Sequence, residues 1–350
     1  MPSPHPDYVP SPFQPAAWLP GPHAQTVAGR YVRRVTGVRY RRERIDTPDG
    51  DVLDLDFAEV HGRALPDTAP VVVVVHGLEG SAQSTYVLET CRALADRGMR
   101  AVAMNFRTCG GAMNRTARFY HAGETSDLAL VLDLLAARFP GVPLGAIGFS
   151  LGANVLLKHL GEQGDAAKLG AAVAVSTPFD LTAGAVALEG SAMGRLYVSV
   201  FLRTLKAKYR AKQPMLGDTC DAGRVFASRT FREFDDAVTA PLHGFRDVEH
   251  YYSSSSSAQF LERVRIPTLL IQSRDDPFLP ADAIPLREAS ANPCVTPVIT
   301  ENGGHVGFIS GPPWSPRFWA EAEAARYLAL NLIGRDDPAP ALSETERTTR

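Results

Sequence analysis

The sequence predicts an α/β fold, with a mostly parallel central sheet and helices on both faces. Two observations carry that prediction. Short β-branched and apolar runs alternate with longer segments of helical periodicity, the pattern of strand–helix–strand crossovers. One of those runs, Val71 to Val75, is entirely valine, which suits a central strand buried on both sides.

The first 22 residues hold eight prolines, a density that excludes helix and predicts an extended arm, with Tyr8, Phe13 and Trp18 available to pack it. Residues 39 to 57 read as a β-hairpin, because Thr47-Pro48-Asp49-Gly50 is turn chemistry and Val52, Leu53, Leu55 and Phe57 follow it. The valine strand leads into His76-Gly77-Leu78-Glu79-Gly80, and a helix is expected over 85–97. Arg100 to Asn105 is the next strand. A helix over 124–139, opened by acidic residues that suit its dipole, precedes the strand Leu144 to Phe149 and the helix Leu151 to Glu162.

Ala171 to Ser176 and Thr268 to Gln272 supply two more strands, but about 90 residues separate them, far beyond an ordinary connection. The gap predicts an insertion over about 181–260. Its stretch from Gly194 to Lys212 mixes Leu196, Val198, Val200, Phe201 and Leu205 with Arg203, Lys206, Lys208, Arg210 and Lys212, as an amphipathic helical cap would. Ser253 to Ser257 reads as a loop or the start of a helix. The expected organisation is therefore an arm over 1–22, one domain over 23–334 carrying the cap, and a frayed polar tail over 335–350.

A chain of 350 residues that is 45 % hydrophobic can bury a sizeable core, and its formal charge of −2 gives no global pull toward nucleic acid. Cys91, Cys109, Cys220 and Cys294 are scattered, without the close pairs of a zinc or dithiol redox site, and read as reduced, buried thiols. The start shows no basic segment followed by an apolar one, and no uncharged apolar run reaches about 18 residues. A cytoplasmic location is the expectation.

Gly148-Phe149-Ser150-Leu151-Gly152 matches G-x-S-x-G between a strand and a helix, the context in which a serine hydroxyl projects above a sheet on a tight turn. Neutral serine is a weak nucleophile and needs a base. His305, in Gly303-Gly304-His305-Val306-Gly307-Phe308, is the one histidine C-terminal to the insertion, and the chain order Ser, acid, His is that of α/β-hydrolases. Asp275 and Asp276 both stand at a strand end. In hydrolases of this fold the acid usually precedes a loop-closing proline by four residues, which favours Asp276, ahead of Pro280; Asp275 and Asp180 then structure loops. The amides of Leu78 and Leu151 are the candidate oxyanion donors, with the His76 ring hydrogen-bonding loop backbone to shape the hole.

Several further stretches resemble the YheT family of α/β-hydrolases, over residues 20 to about 330. Gly21-Pro22-His23-Ala24-Gln25-Thr26 is similar to its N-P-H-x-Q-T signature, with Gly21 in place of Asn. His76 to Ser81 resembles its oxyanion loop. Asn105-Phe106-Arg107 and Tyr120-His121-Ala122-Gly123-Glu124-Thr125 resemble two more of its segments, although Thr108 stands where the family has glycine. The resemblance implies a triad of Ser150, Asp276 and His305. It also implies esterase or lipase activity on acyl esters, as phospholipid or monoacylglycerol in the mammalian branch, and directs attention to His23 and His121.

The resulting expectation is a carboxylic-ester hydrolase that forms an acyl-enzyme on a small-molecule or lipid-like ester and requires no cofactor or metal. Acyl transfer to an alcohol would use the same residues, and a non-catalytic ligand-binding protein would keep only the fold. Arg30, Arg33, Arg34, Arg39, Arg41, Arg42 and Arg44 cluster near the N-terminus; solvated faces are the plain reading, and weak contact with an anionic membrane surface the sharper one. Sequence leaves the oligomeric state open.

Overall fold

Thr47-Pro48-Asp49-Gly50 turns the chain between β1 (Val38–Asp46) and β2 (Val52–Val60), which pair antiparallel along their whole length. The computed structural model describes residues 8–334, so the tail expected over 335–350 and the first seven residues of the arm lie outside the described residues. β3 (Val71–Val75) sits between β4 (Arg100–Asn105) and β5 (Leu144–Phe149), parallel to both. Its valines are at most 1 % exposed. Val71, Val73 and Val75 join the core on one face of the sheet, and Val72 and Val74 join the core on the other, as the two-residue period of a strand requires. β6 (Ala171–Val175), β7 (Thr268–Ser273) and β8 (Val295–Thr300) complete an eight-stranded sheet in the order β1-β2-β4-β3-β5-β6-β7-β8.

Among the helices, α1 (Gly21–Val32) was not anticipated from the prolines around it. Pro22 falls in its first turn, where the missing amide hydrogen costs nothing. α2 (Thr85–Asp96) covers one face of the sheet with the final helix, Trp319–Ile333, while α3 (Ser126–Arg138) and α4 (Leu151–Gln163) cover the other. The arm runs without regular structure over 8–16 and packs on the final helix. Tyr8 meets the Tyr327 ring edge-on, Tyr8 and Ser11 both donate to Glu323, and Phe13 lies against Phe308 and Trp319.

Between β6 and β7 the chain is helical, with α5 (Leu181–Gly190), α6 (Ala192–Leu216) and shorter helices. This cap has its own apolar cluster of Val198, Leu202, Tyr209, Val225, Phe234 and Val238, with Phe119 from the main domain. The serine run spans a helix end, one irregular residue and a helix start. It closes the helix Val248–Ser255 and opens the 3₁₀ segment Ser257–Arg263. Among the described residues no single helix is long and apolar enough to cross a membrane.

Candidate active site

The turn between β5 and α4 holds Ser150 at φ 51° and ψ −121°, a conformation that few non-glycine residues adopt. The Ser150 amide donates to Val175 O at 2.9 Å, fixing the turn to β6. The flanking glycines are sterically required: a Cβ on Gly148 would lie 2.5 Å from Gly152 O, and one on Gly152 would lie 2.5 Å from Val75 O. Strand, turn and helix can therefore approach only because positions 148 and 152 carry no side chain.

His305 reaches the elbow from the loop after β8. Its Nε2 lies 2.8 Å from Ser150 Oγ, and its Nδ1 lies 2.9 Å from Asp276 Oδ2 and 3.1 Å from Oδ1. The Asp276 carboxylate also accepts from the Phe278 amide at 2.8 Å and from Gln272 Nε2 at 3.1 Å. Phe278 stacks on the imidazole, 4.1 Å between centroids and 5° from parallel, so the ring is held in plane as well as by its hydrogen bonds. Asp275 points elsewhere and accepts the Gly304 amide at 2.9 Å, with burial raising its carboxyl. Asp180 caps α5 by accepting from the Ala183 amide.

The loop after β3 is held by side chains on either side of Leu78. The Gly77 amide donates to Tyr86 OH at 2.9 Å, and the Glu79 amide donates to Tyr120 OH at 2.8 Å. Among the described residues, the Leu78 and Leu151 amides have no protein partner. His76 lies beneath, with burial lowering it to about 4. Its Nε2 accepts from the Phe106 amide at 3.1 Å, so its Nδ1 carries the hydrogen that it donates to Gly77 O at 2.7 Å. Among the described residues no group of three or more His, Cys, Asp or Glu is arranged to hold a metal ion.

A family described as "alpha/beta hydrolase fold" matches residues 70–312. The chain is 38 % identical over 312 residues to Escherichia coli (strain K12) YheT, covering 89 % of this chain and 91 % of that protein. The chain belongs to the YheT family of α/β-hydrolases. It is also 31 % identical over 302 residues to mouse phospholipase ABHD3, covering 85 % of this chain and 74 % of the relative. The Pyrococcus furiosus esterase Pf2001 shares the fold at a TM-score of 0.56 and 18 % identity, over 93 % of this chain and 98 % of that one.

The YheT-family signature Gly21 to Thr26 opens α1, and its side chains hold the His305 loop. The His305 amide donates to Thr26 Oγ1 at 2.9 Å, and Gln25 brackets Ile309, donating to its carbonyl at 3.1 Å and accepting its amide at 2.8 Å. Arg33 donates to the carbonyls of Val306 and Gly307 and pairs with buried Glu321 at 2.8 Å. Val306 and Phe308 are held at positive φ. Sequence reasoning missed these positioning residues because the buried residues of α1 are Gln25 and Gly29, with buried Arg33 just past its end, and none of the three is apolar. The signal available was Ala24, Val27, Ala28, Tyr31 and Val32 at helical spacing, although Val27 and Tyr31 face outward. His23 contacts the cap, its Nδ1 lying 3.0 Å from Tyr197 OH. His121 packs beside His243 and accepts from the Gly123 amide.

Ser150 and His305 open onto a cavity of about 1220 Å³, walled by Leu78, Leu188, Val200, Phe201, Phe234 and Phe278 among others. Val27, Tyr31, Met193, Leu196 and Val200 are exposed cavity-lining residues of α1 and α6. A smaller hollow of about 450 Å³ lies on the cap among Arg224, Arg232, Asp236 and Glu249, and shares no lining residue with the larger cavity. Arg33 is buried, whereas Arg30, Arg34, Arg39, Arg41, Arg42 and Arg44 are exposed, as the plain solvated reading expects. Arg42 pairs with Asp56, Arg44 with Asp54, Arg33 with Glu321 and Lys208 with Glu79, while buried Lys212 donates to the carbonyls of Thr116 and Arg118.

Proposed function

We propose that this protein is a serine hydrolase of carboxylic esters. The observation that carries the reading is the continuous hydrogen-bonded chain from Ser150 through His305 to Asp276, opening onto a largely apolar cavity. Relatives named phospholipase and, in yeast, monoacylglycerol lipase support ester chemistry.

In this mechanism Ser150 Oγ attacks the ester carbonyl while His305 Nε2 accepts its proton across the 2.8 Å bond. Asp276 holds the imidazole by Nδ1 and stabilises the cation that forms. The carbonyl oxygen becomes an oxyanion and accepts from the unpartnered amides of Leu78 and Leu151; donors fixed before the reaction need no reorganisation at the transition state. His305 returns the proton to the leaving alkoxide, giving an alcohol and an acyl-Ser150 ester. Water then attacks that ester with His305 again as base, releasing the acid and restoring the serine. The cap, about 181–260, supplies the apolar wall for a small-molecule or lipid-like acyl chain.

Pre-steady-state hydrolysis of p-nitrophenyl butyrate tests the reading. A burst of nitrophenol stoichiometric with enzyme, absent in Ser150→Ala, is the expected result. Turnover at the wild-type rate by Ser150→Ala rejects it.

A further inference from the structure

On its cap side the cavity carries a carboxylate that the mechanism does not use. Asp235 lies where the helix begun at Phe231 widens into a π-turn over Asp235–Thr239, a local geometry found frequently at functional sites. It accepts from Thr239 Oγ1 at 2.5 Å and from Tyr252 OH at 2.9 Å, and all three residues line the cavity. An ionised carboxylate offers about four acceptor positions, so these two bonds leave capacity unused. Asp235 is only partly buried, and it lines the cavity.

The surroundings do not neutralise it. Among the described residues no cation lies within ion-pair distance of Asp235: Arg232 pairs with Glu249, and Arg224 with Asp236. Burial raises its carboxyl to about 6, against the two hydrogen bonds that lower it. Phe231, Phe234 and Val238 share the cavity wall with it. Holding Thr239 and Tyr252 in place would need only a neutral amide, and an uncompensated carboxylate in such a setting is costly.

A row of rings leads from the reaction centre to this point. Phe278 stacks on His305, Phe201 stands 6.3 Å from Phe278, and Phe231 stands 6.0 Å from Phe201, one helical turn before Asp235. We infer that Asp235 is a recognition subsite for a hydrogen-bond donor, a hydroxyl or an ammonium, carried at the far end of the substrate's acyl chain. The inference rests on the ester-hydrolase reading and names the substrate class of that same site: ω-hydroxy- or ω-aminoacyl esters in preference to plain alkanoyl esters.

The test compares p-nitrophenyl esters of octanoate, 8-hydroxyoctanoate and 8-aminooctanoate with wild type, Asp235→Asn and Asp235→Leu. Wild type is expected to favour a donor-bearing ester over octanoate by about tenfold or more in kcat/KM, the scale of a hydrogen bond to a charged group. Asp235→Leu should reverse that ratio. Asp235→Asn, which still offers a carbonyl to Tyr252 and to a hydroxyl, should lose the ammonium preference first, and it carries the test if the leucine variant does not fold. A preference for the hydroxyl alone or for the ammonium alone identifies which donor the subsite takes. Equal ratios in wild type and variants overturn the subsite and leave ester hydrolysis standing. If wild type hydrolyses none of the esters, the ester reading fails, and thermal stabilisation by 1,8-octanediol against 1-octanol then decides: a diol advantage lost in the Asp235 variants supports the subsite, and equal stabilisation overturns it.

Discussion

Lys208 Nζ lies 2.6 Å from Glu79 Oε1, joining the cap helix α6 to the residue beside the Leu78 amide. The same carboxylate oxygen accepts from Tyr120 OH at 2.8 Å, and that hydroxyl accepts the Glu79 amide at 2.8 Å. Burial pulls the Lys208 ammonium down, but Cys109 and Glu79 outweigh it and raise it above its ordinary value. The cap thus fixes the loop that presents the candidate oxyanion donor.

Lys208→Met should therefore lower kcat by roughly tenfold, or about 1.4 kcal/mol of transition-state stabilisation, with a smaller change in KM. Removing one partner leaves Glu79 buried and unpaired, which loosens the loop. Lys208→Arg should recover part of the loss. Steady-state kinetics on one ester checks both variants, and an unchanged kcat in Lys208→Met would separate the cap from the oxyanion loop.

Asp276→Asn should cost far more than Asp275→Asn. Only Asp276 touches the imidazole, whereas Asp275 holds the Gly304 amide. A loss of about 10³–10⁴ in kcat is expected for Asp276→Asn, the scale seen when the base is left in the wrong tautomer. Asp275→Asn should stay within about tenfold. Comparable small losses in both would move the orienting role to another acid.

The candidate triad was legible because its chemistry is local: a strand, two glycines and a serine define the elbow, and chain order leaves His305 alone after the insertion. The all-valine β3 and the hairpin were legible for the same reason, since period and turn residues declare them. Helix α1 was not, because the buried side chains Gln25 within it and Arg33 just past its end are polar and are stabilised by a loop almost 300 residues away. Asp235 belongs to no motif at all. It matters only because folding brings Tyr252 and an apolar cavity around it, and spacing along the chain carries no record of that.

Stability should climb from about pH 4.5 and level off near pH 7. Burial lowers His76, His121 and His243 to about 4, about 4 and about 3. Near pH 5 the unfolded chain binds three protons there that the fold refuses, so their contribution is lost as pH falls from about 6.5 toward 4. Burial raises Asp235 to about 6 and Glu321 to about 7. These acids hold protons that the unfolded chain has released, so their contribution is lost as pH rises through 6 to 7. Three against two leaves a net slope of about 1.4 kcal/mol per pH unit between roughly 4.5 and 6, which fades to about zero by pH 7 as the unfolded histidines and the two acids finish titrating. Calorimetric Tm values across pH 4.5 to 8 read it directly, and stability that falls from pH 5 to 6.5 would contradict these assignments.

The cap should make the enzyme prefer esters longer than acetate. Each buried methylene contributes at most about 0.8 kcal/mol, so a two-carbon extension could raise kcat/KM up to roughly tenfold until the cavity fills. A graded series from acetate to octanoate checks this. Rates falling steadily along the series would mean that the apolar residues of α5 and α6 only dock the cap.

The central claim, that Ser150 is the nucleophile, is tested most directly by mapping a fluorophosphonate adduct by mass spectrometry on the intact protein and its peptides. The account predicts one adduct per chain, on the peptide containing Ser150, formed in wild type, slowed by His305→Ala and absent in Ser150→Ala. An unlabelled wild-type protein, or an adduct on a different residue that persists in Ser150→Ala, would contradict it.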